Sequence, residues 1–171
     1  MLLANWLKKA KNCMINDQIK KYIVKSFDNI PTEIKGSYLL FLNCPSKTKI
    51  QVGKLGNILF SPGYYIYVGS AMGGIKKRLK AHLKIEKRAH FHLDYLLPHF
   101  SIIGFIAFGN QFREECILAS KIASFGEAVN GFGSTDCKCI SHLFFFGKKR
   151  DILNSRPWIS LLDATSIFVA L

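Results

Sequence analysis

At 171 residues, with 49% hydrophobic and 13% aromatic content, the chain has the length and apolar fraction of one folded domain, which excludes a disordered polymer. The 24 Lys and Arg against 11 Asp and Glu give a formal net charge of +13, a field that attracts polyanions, nucleic acid before anionic membrane surfaces. Five cysteines, odd in number and irregular in spacing, do not make a disulfide scaffold, and the chain reads as intracellular and cytoplasmic.

Residues 1–30 carry Leu3, Trp6, Leu7, Met14, Ile19, Ile23, Val24 and Phe27 at mixed three- and four-residue spacings with lysines between them. This predicts a basic helical appendage, either docked on the main domain or facing nucleic acid through Lys20, Lys21 and Lys25. Lys8, Lys9 and Lys11 cut off the opening apolar residues before they reach signal-peptide length, and no apolar run approaches the roughly 20 residues of a bilayer span. Ile30-Pro31-Thr32 marks the boundary to a main domain over residues 31–150, with 151–171 as a C-terminal tail packed on it or trailing it.

Gly36 to Leu42 is a near-continuous apolar run of strand length, and Lys49 to Val52 and Ile58 to Phe60 are shorter strand-like pieces. Tyr64 to Gly69 is the next strand, its alternation placing Tyr65 and Tyr67 on one face and Tyr64, Ile66 and Val68 on the other. The close spacing of these runs predicts antiparallel pairing. After Gly73-Gly74, Ile75, Leu79 and Leu83 fall on one helical face, and Arg78 and His82, four apart, share an adjoining face. Seven basic residues, Lys76, Lys77, Arg78, Lys80, Lys84, Lys87 and Arg88, stand against Glu86 alone, so little neutralises this segment locally.

Residues 91–98 predict a short helix ended by Pro98, residues 101–108 a strand, 112–125 a helix, 126–134 a glycine-rich loop and 142–146 a last strand. The whole pattern is that of an α+β domain with a small antiparallel sheet flanked by helices.

Gly36-Ser37-Tyr38, then Tyr67-Val68-Gly69, then Arg78-x-x-x-His82 and, 37 residues beyond Arg78, Glu115 occur in the order that resembles the GIY-YIG nuclease superfamily, with Ser37 and Val68 in place of the two isoleucines. The runs Tyr67 to Gly74, His92 to Leu97, Glu115 to Ala119 and Asp136 to Leu143 are more closely similar to an uncharacterised archaeal and bacterial GIY-YIG-like family, over roughly Ile34 to Phe146. One departure stands out. Tyr38 and Tyr67 are separated by 28 residues, more than is usual in the superfamily, and the extra segment is the hairpin-like piece from Lys49 to Phe60.

The resemblance implies a metal-dependent endonuclease that hydrolyses DNA phosphodiester bonds, structure-selective and repair-related, with DNA rather than RNA as its partner and no membrane. Tyr67, or Tyr38 with it, would orient and deprotonate water, which a phenol of ordinary pKa near 10 does only with help from a cation. Arg78 would hold phosphate oxygens, His82 would assist proton transfer or phosphate binding, and Glu115 would bind Mg²⁺ or Mn²⁺. Lys76, Lys77, Lys80, Lys84, Lys87 and Arg88 would meet the backbone phosphates. The same residues taken singly also read as strand aromatics, surface cations and a helix cap, and Glu114 is a near-equal candidate by position. A nucleic-acid-binding module without catalysis is the rival reading, and a basic scaffold for a protein partner the third.

Cys137-x-Cys139-x-x-His142, with Cys116, His90 and His92 elsewhere, brings zinc to mind, but the spacing matches no two-pair module. An extended 137–139 segment would point the two thiols to opposite faces. Zinc is therefore not expected here, the cysteines reading as small apolar groups and His142 as bonded to a backbone group or to Asp94.

Overall fold

The structure, a computed structural model, describes residues 23–24, 30–84, 89–148 and 166–170. Its framework is β2 (Gly36–Cys44), paired antiparallel along its whole length with β5 (Gly63–Ala71) and, on the other side, with β6 (Ser101–Gly109). Leu39, Leu40, Leu42 and Tyr38 of β2 are all buried, because both faces of this central strand are covered, and this is why the sequence there is apolar without alternation.

Two layers make those covers. On one face Tyr38, Leu40, Leu42 and Tyr65 pack with Ile75 and Leu79 of α1 (Ile75–His82) and with Leu93 and Leu96 of α2 (His92–Leu96). On the other, Leu39, Ile66, Val68 and Ile106 pack with Leu118, Ala119 and Ile122 of α3 (Glu115–Ala123). Each helix contributes the three- and four-residue stripe its spacing predicts.

The long link between the two tyrosine motifs folds outward. β3 (Thr48–Gln51) and β4 (Asn57–Phe60) form their own two-stranded sheet around a 3₁₀ turn at Gly53–Leu55, and Ile50, Val52 and Phe60 enter the first core layer. The extra residues therefore leave β2 and β5 in register, with Tyr38 opposite Gly69 and Leu40 opposite Tyr67.

The α+β class agrees with the sequence reading, while the sheet is wider than expected. Beyond β5 come β8 (Leu143–Phe145) and β7 (Glu127–Ala128); beyond β6 come β9 (Ser166–Ala170) and β1 (Ile23–Val24). The order is β1-β9-β6-β2-β5-β8-β7, antiparallel except for the β1–β9 pair, which is parallel. Ile23 and Val24, expected in a helix, are a strand, as two β-branched residues favour once an edge is offered to them. The rest of the expected appendage, with Lys87, Arg88 and most of the C-terminal tail, lies outside the described residues. No helix among the described residues is long and apolar enough to cross a membrane.

Candidate active site and a cysteine–histidine cluster

Strand alternation places Tyr38 and Tyr67 on the same face of adjacent strands, one register step apart. Their ring centroids are 6.4 Å apart. Gly69, opposite Tyr38, makes the room for this, since a Cβ there would lie 2.6 Å from the Tyr38 hydroxyl and 3.0 Å from Tyr67. The glycine of the second motif is thus a clearance requirement rather than a turn. Gly36 answers a similar need at a φ of +145°, where an added Cβ would strike the carbonyl oxygen of Phe108.

His82, the last residue of α1, is buried with Leu79 against this face, and its Nε2 is hydrogen-bonded to the Tyr38 hydroxyl at 2.8 Å. Which group donates follows the histidine tautomer. Arg78, one turn earlier and half-buried, lays its guanidinium over the Phe91 ring, 4.8 Å from the centroid, a contact that limits where the cation can go.

Burial raises the Tyr38 hydroxyl well above the ordinary value, with the Tyr67, Asp94 and Glu115 charges adding to it and Arg78 opposing. Burial likewise pushes Tyr67 up to about 12, against the pull of Arg78 and with the push of Glu115, Asp94 and Asp136. Both phenols therefore keep their protons at neutral pH, where they offer hydrogen bonds and no phenolate charge. Arg78 and Glu115 are near enough to bias both phenols, and His82 joins the group through its hydrogen bond to Tyr38.

Glu115 reaches it from the far layer. α3 begins over the Gly36 end of the sheet, where the Glu114 N–H donates to Ser37 Oγ at 3.0 Å. Glu115 falls on the same helical stripe as Leu118, Ala119 and Ile122, directed at the sheet. Its Oε2 is buried with no hydrogen-bond partner among the described residues. Glu114, by contrast, uses its carboxylate to accept from Asn110 Nδ2 at 2.6 Å. The two glutamates, alike in sequence, are thereby distinguished.

The loop from Val129 to His142 closes over Tyr67. Phe132, fully buried, meets Tyr67 edge-on at 6.3 Å and His92 at 5.5 Å. Gly133 donates its N–H to His92 Nδ1 at 2.9 Å, and an added Cβ there would lie 3.3 Å from Tyr67. Desolvation lowers the His92 pKa, which keeps Nδ1 available as that acceptor. Of the basic residues expected to meet phosphate, Lys77, Lys80 and Lys84 are exposed and Lys76 is half-buried.

A second group of side chains was not expected to converge. Cys116, Cys137, Cys139 and His142 bring three sulfurs and one ring nitrogen within 4.8 Å of one another. His142 Nε2 lies 3.5 Å from the Cys137 sulfur and 3.9 Å from that of Cys116. The extended geometry that would have separated the two loop thiols does not exist, because residues 135–138 form a turn and a bend. His142 does not reach Asp94, whose Oδ2 accepts the N–H groups of His90 and Phe91. The cluster could hold a metal ion, and its thiolate and imidazole donors lean towards zinc, against the expectation from the sequence. Sequence spacing missed it because its first member comes from a helix, 21 residues before the second.

Residues 37–158 match the family described as the domain of unknown function DUF123. The chain belongs to that family. No curated protein and no solved structure gives a significant match to it. The DUF123 match takes in Tyr38, the Tyr67-Val68-Gly69 motif, α1, Glu115 and the whole cysteine–histidine cluster.

Proposed function

We propose that this DUF123 chain is a metal-dependent endonuclease of the GIY-YIG type that hydrolyses DNA phosphodiester bonds, structure-selective and used in repair. The observation that carries the reading is the side-by-side placement of Tyr38 and Tyr67, ring centroids 6.4 Å apart, with His82 bonded to Tyr38, Arg78 one helical turn before it and Glu115 in the first turn of α3. Phosphodiester hydrolysis needs that combination: donors for the phosphate oxygens, an orienting group for water and a cation to offset developing charge.

Each residue then has a part. Arg78, steadied by Phe91, holds two phosphate oxygens through its planar fork. Tyr67, half-buried on the strand face, orients the attacking water through its hydroxyl. Tyr38, buried and bound to His82, positions that histidine, the one group of the set whose ordinary pKa suits proton transfer near neutrality. The high tyrosine pKa values argue against a free phenolate as the base.

Glu115 is the residue that would hold Mg²⁺ or Mn²⁺. Its Oε2, buried and without a hydrogen-bond partner among the described residues, fits a hard cation, which takes oxygen ligands and often only one or two protein carboxylates. Such an ion supplies polarisation of a phosphate oxygen and charge neutralisation. Lys77 and Lys80 on α1 and Lys84 just after it, all exposed, would meet backbone phosphates on either side, with Lys76 beside them, and Lys87 and Arg88 extend the same basic run in sequence.

A binding module without catalysis is the second reading, and the burial of Tyr38 favours it, since a hydroxyl enclosed and already bonded has little access to water. Nicked, flapped and single-stranded DNA incubated with the chain in Mg²⁺ or Mn²⁺ separate the two. Cleavage lost in Arg78→Ala supports the nuclease, and tight binding without cleavage supports the module.

A further inference from the structure

We propose that Cys116, Cys137, Cys139 and His142 form a structural zinc site that ties the start of α3 to the loop over Tyr67. The donor set is three thiolates and one imidazole, the chemistry that selects Zn²⁺ over the hard cations. Four protein ligands close a tetrahedron and leave no position for a substrate, which is the mark of a structural rather than a catalytic ion.

The distances fit such an ion. Metal–sulfur bonds of about 2.3 Å and metal–nitrogen bonds of about 2.05 Å at the tetrahedral angle require S···N edges of about 3.6 Å and S···S edges of about 3.8 Å. His142 Nε2 stands 3.5 Å and 3.9 Å from two of the sulfurs, and all four donors lie within 4.8 Å of one another. None of these cysteines is in a disulfide. Two hydrogen bonds hold the backbone beneath the cluster: the Val68 N–H donates to His142 O at 2.8 Å and the His142 N–H to Phe132 O at 2.7 Å.

The placement gives the ion a purpose. Cys116 follows Glu115 directly, so fixing its sulfur fixes the first turn of α3 and the backbone from which Glu115 projects. Cys137, Cys139 and His142 belong to the loop whose Phe132 and Gly133 pack on Tyr67. One ion would thus lock the start of α3, on one face of the sheet, to the loop that packs on Tyr67 at the other. In the nuclease reading it holds Glu115 in place, but the site stands on its own donors whether or not DNA is cleaved.

The test is metal content of the full-length chain, purified without chelator and without a metal-affinity step, then desalted. About one zinc per chain is expected, falling below about a tenth in Cys137→Ser and in Cys139→Ser, while Cys44→Ser, a buried cysteine outside the cluster, keeps full occupancy. Replacing zinc by Co²⁺ in the unmutated chain should give the visible absorption of a tetrahedral thiolate site, a readout that does not depend on the variants folding. Failure of the chain to retain zinc after reconstitution with equimolar Zn²⁺ would overturn the proposal. So would zinc that persists in both loop variants, or a stable disulfide within the cluster. These outcomes are read without any activity assay, so they stand apart from the nuclease question.

Discussion

Single residues carry sharp requirements in this chain. Gly69→Ala would put a methyl group 2.6 Å from the Tyr38 hydroxyl, and a fully buried ring has nowhere to retreat. We expect a loss of about 1–3 kcal/mol in a denaturant titration, as for overpacked cores, together with loss of the Tyr38–His82 hydrogen bond. His92 supplies a pH dependence of definite sign. Its pKa is lowered in the folded state, so the unfolded chain binds the proton more readily. The stability it contributes is present above the ordinary histidine range near pH 6.5 and is lost as pH falls through the folded value. Melting temperature should therefore decline on acidification below about pH 6.5, and His92→Asn, which keeps an acceptor near the Gly133 N–H, should flatten that part of the decline. An unchanged slope in the variant would assign the effect elsewhere.

At the scale of elements, α3 anchors the far layer through Leu118, Ala119 and Ile122. Ile122→Ala should destabilise the domain by about 2–5 kcal/mol and, by loosening α3, should weaken any metal effect mediated by Glu115. Much of this layer was legible beforehand, because apolar spacing marks β2, β5, β6 and the three helices, and the tyrosine faces follow from alternation. The ambiguity of the long link between the tyrosines was resolved only in three dimensions, where β3 and β4 fold away and leave β2 against β5. Pairing of Ile23–Val24 with Ser166–Ala170 joins residues far apart in the chain, and local pattern carries no information about such pairings. The cysteine–histidine cluster escaped for the same reason, compounded by the turn and bend over residues 135–138, which local pattern did not mark.

For the molecule as a whole, the net charge of +13 predicts DNA binding that weakens steeply with salt. Lys77 and Lys80 of α1, with Lys84 just beyond it, are exposed cations on the same basic segment. Replacing all three by alanine should make the dependence of log K on log salt shallower by about 2–3, near 0.9 for each phosphate that is no longer neutralised. A slope that does not move would place the phosphate-binding cations on another surface. Such a result would leave the fold account intact and redirect the search for the DNA-facing side.

The central claim is tested most directly by cleavage of flapped, nicked and single-stranded DNA with and without Mg²⁺ or Mn²⁺, comparing the unmutated chain with Tyr67→Phe, Arg78→Ala and Glu115→Ala. The account predicts metal-dependent strand scission by the unmutated chain, reduced at least about 10²-fold in Arg78→Ala and in Glu115→Ala, with DNA binding largely retained in Tyr67→Phe. No scission of any substrate by a folded, DNA-binding chain, or equal scission by all three variants, would contradict it.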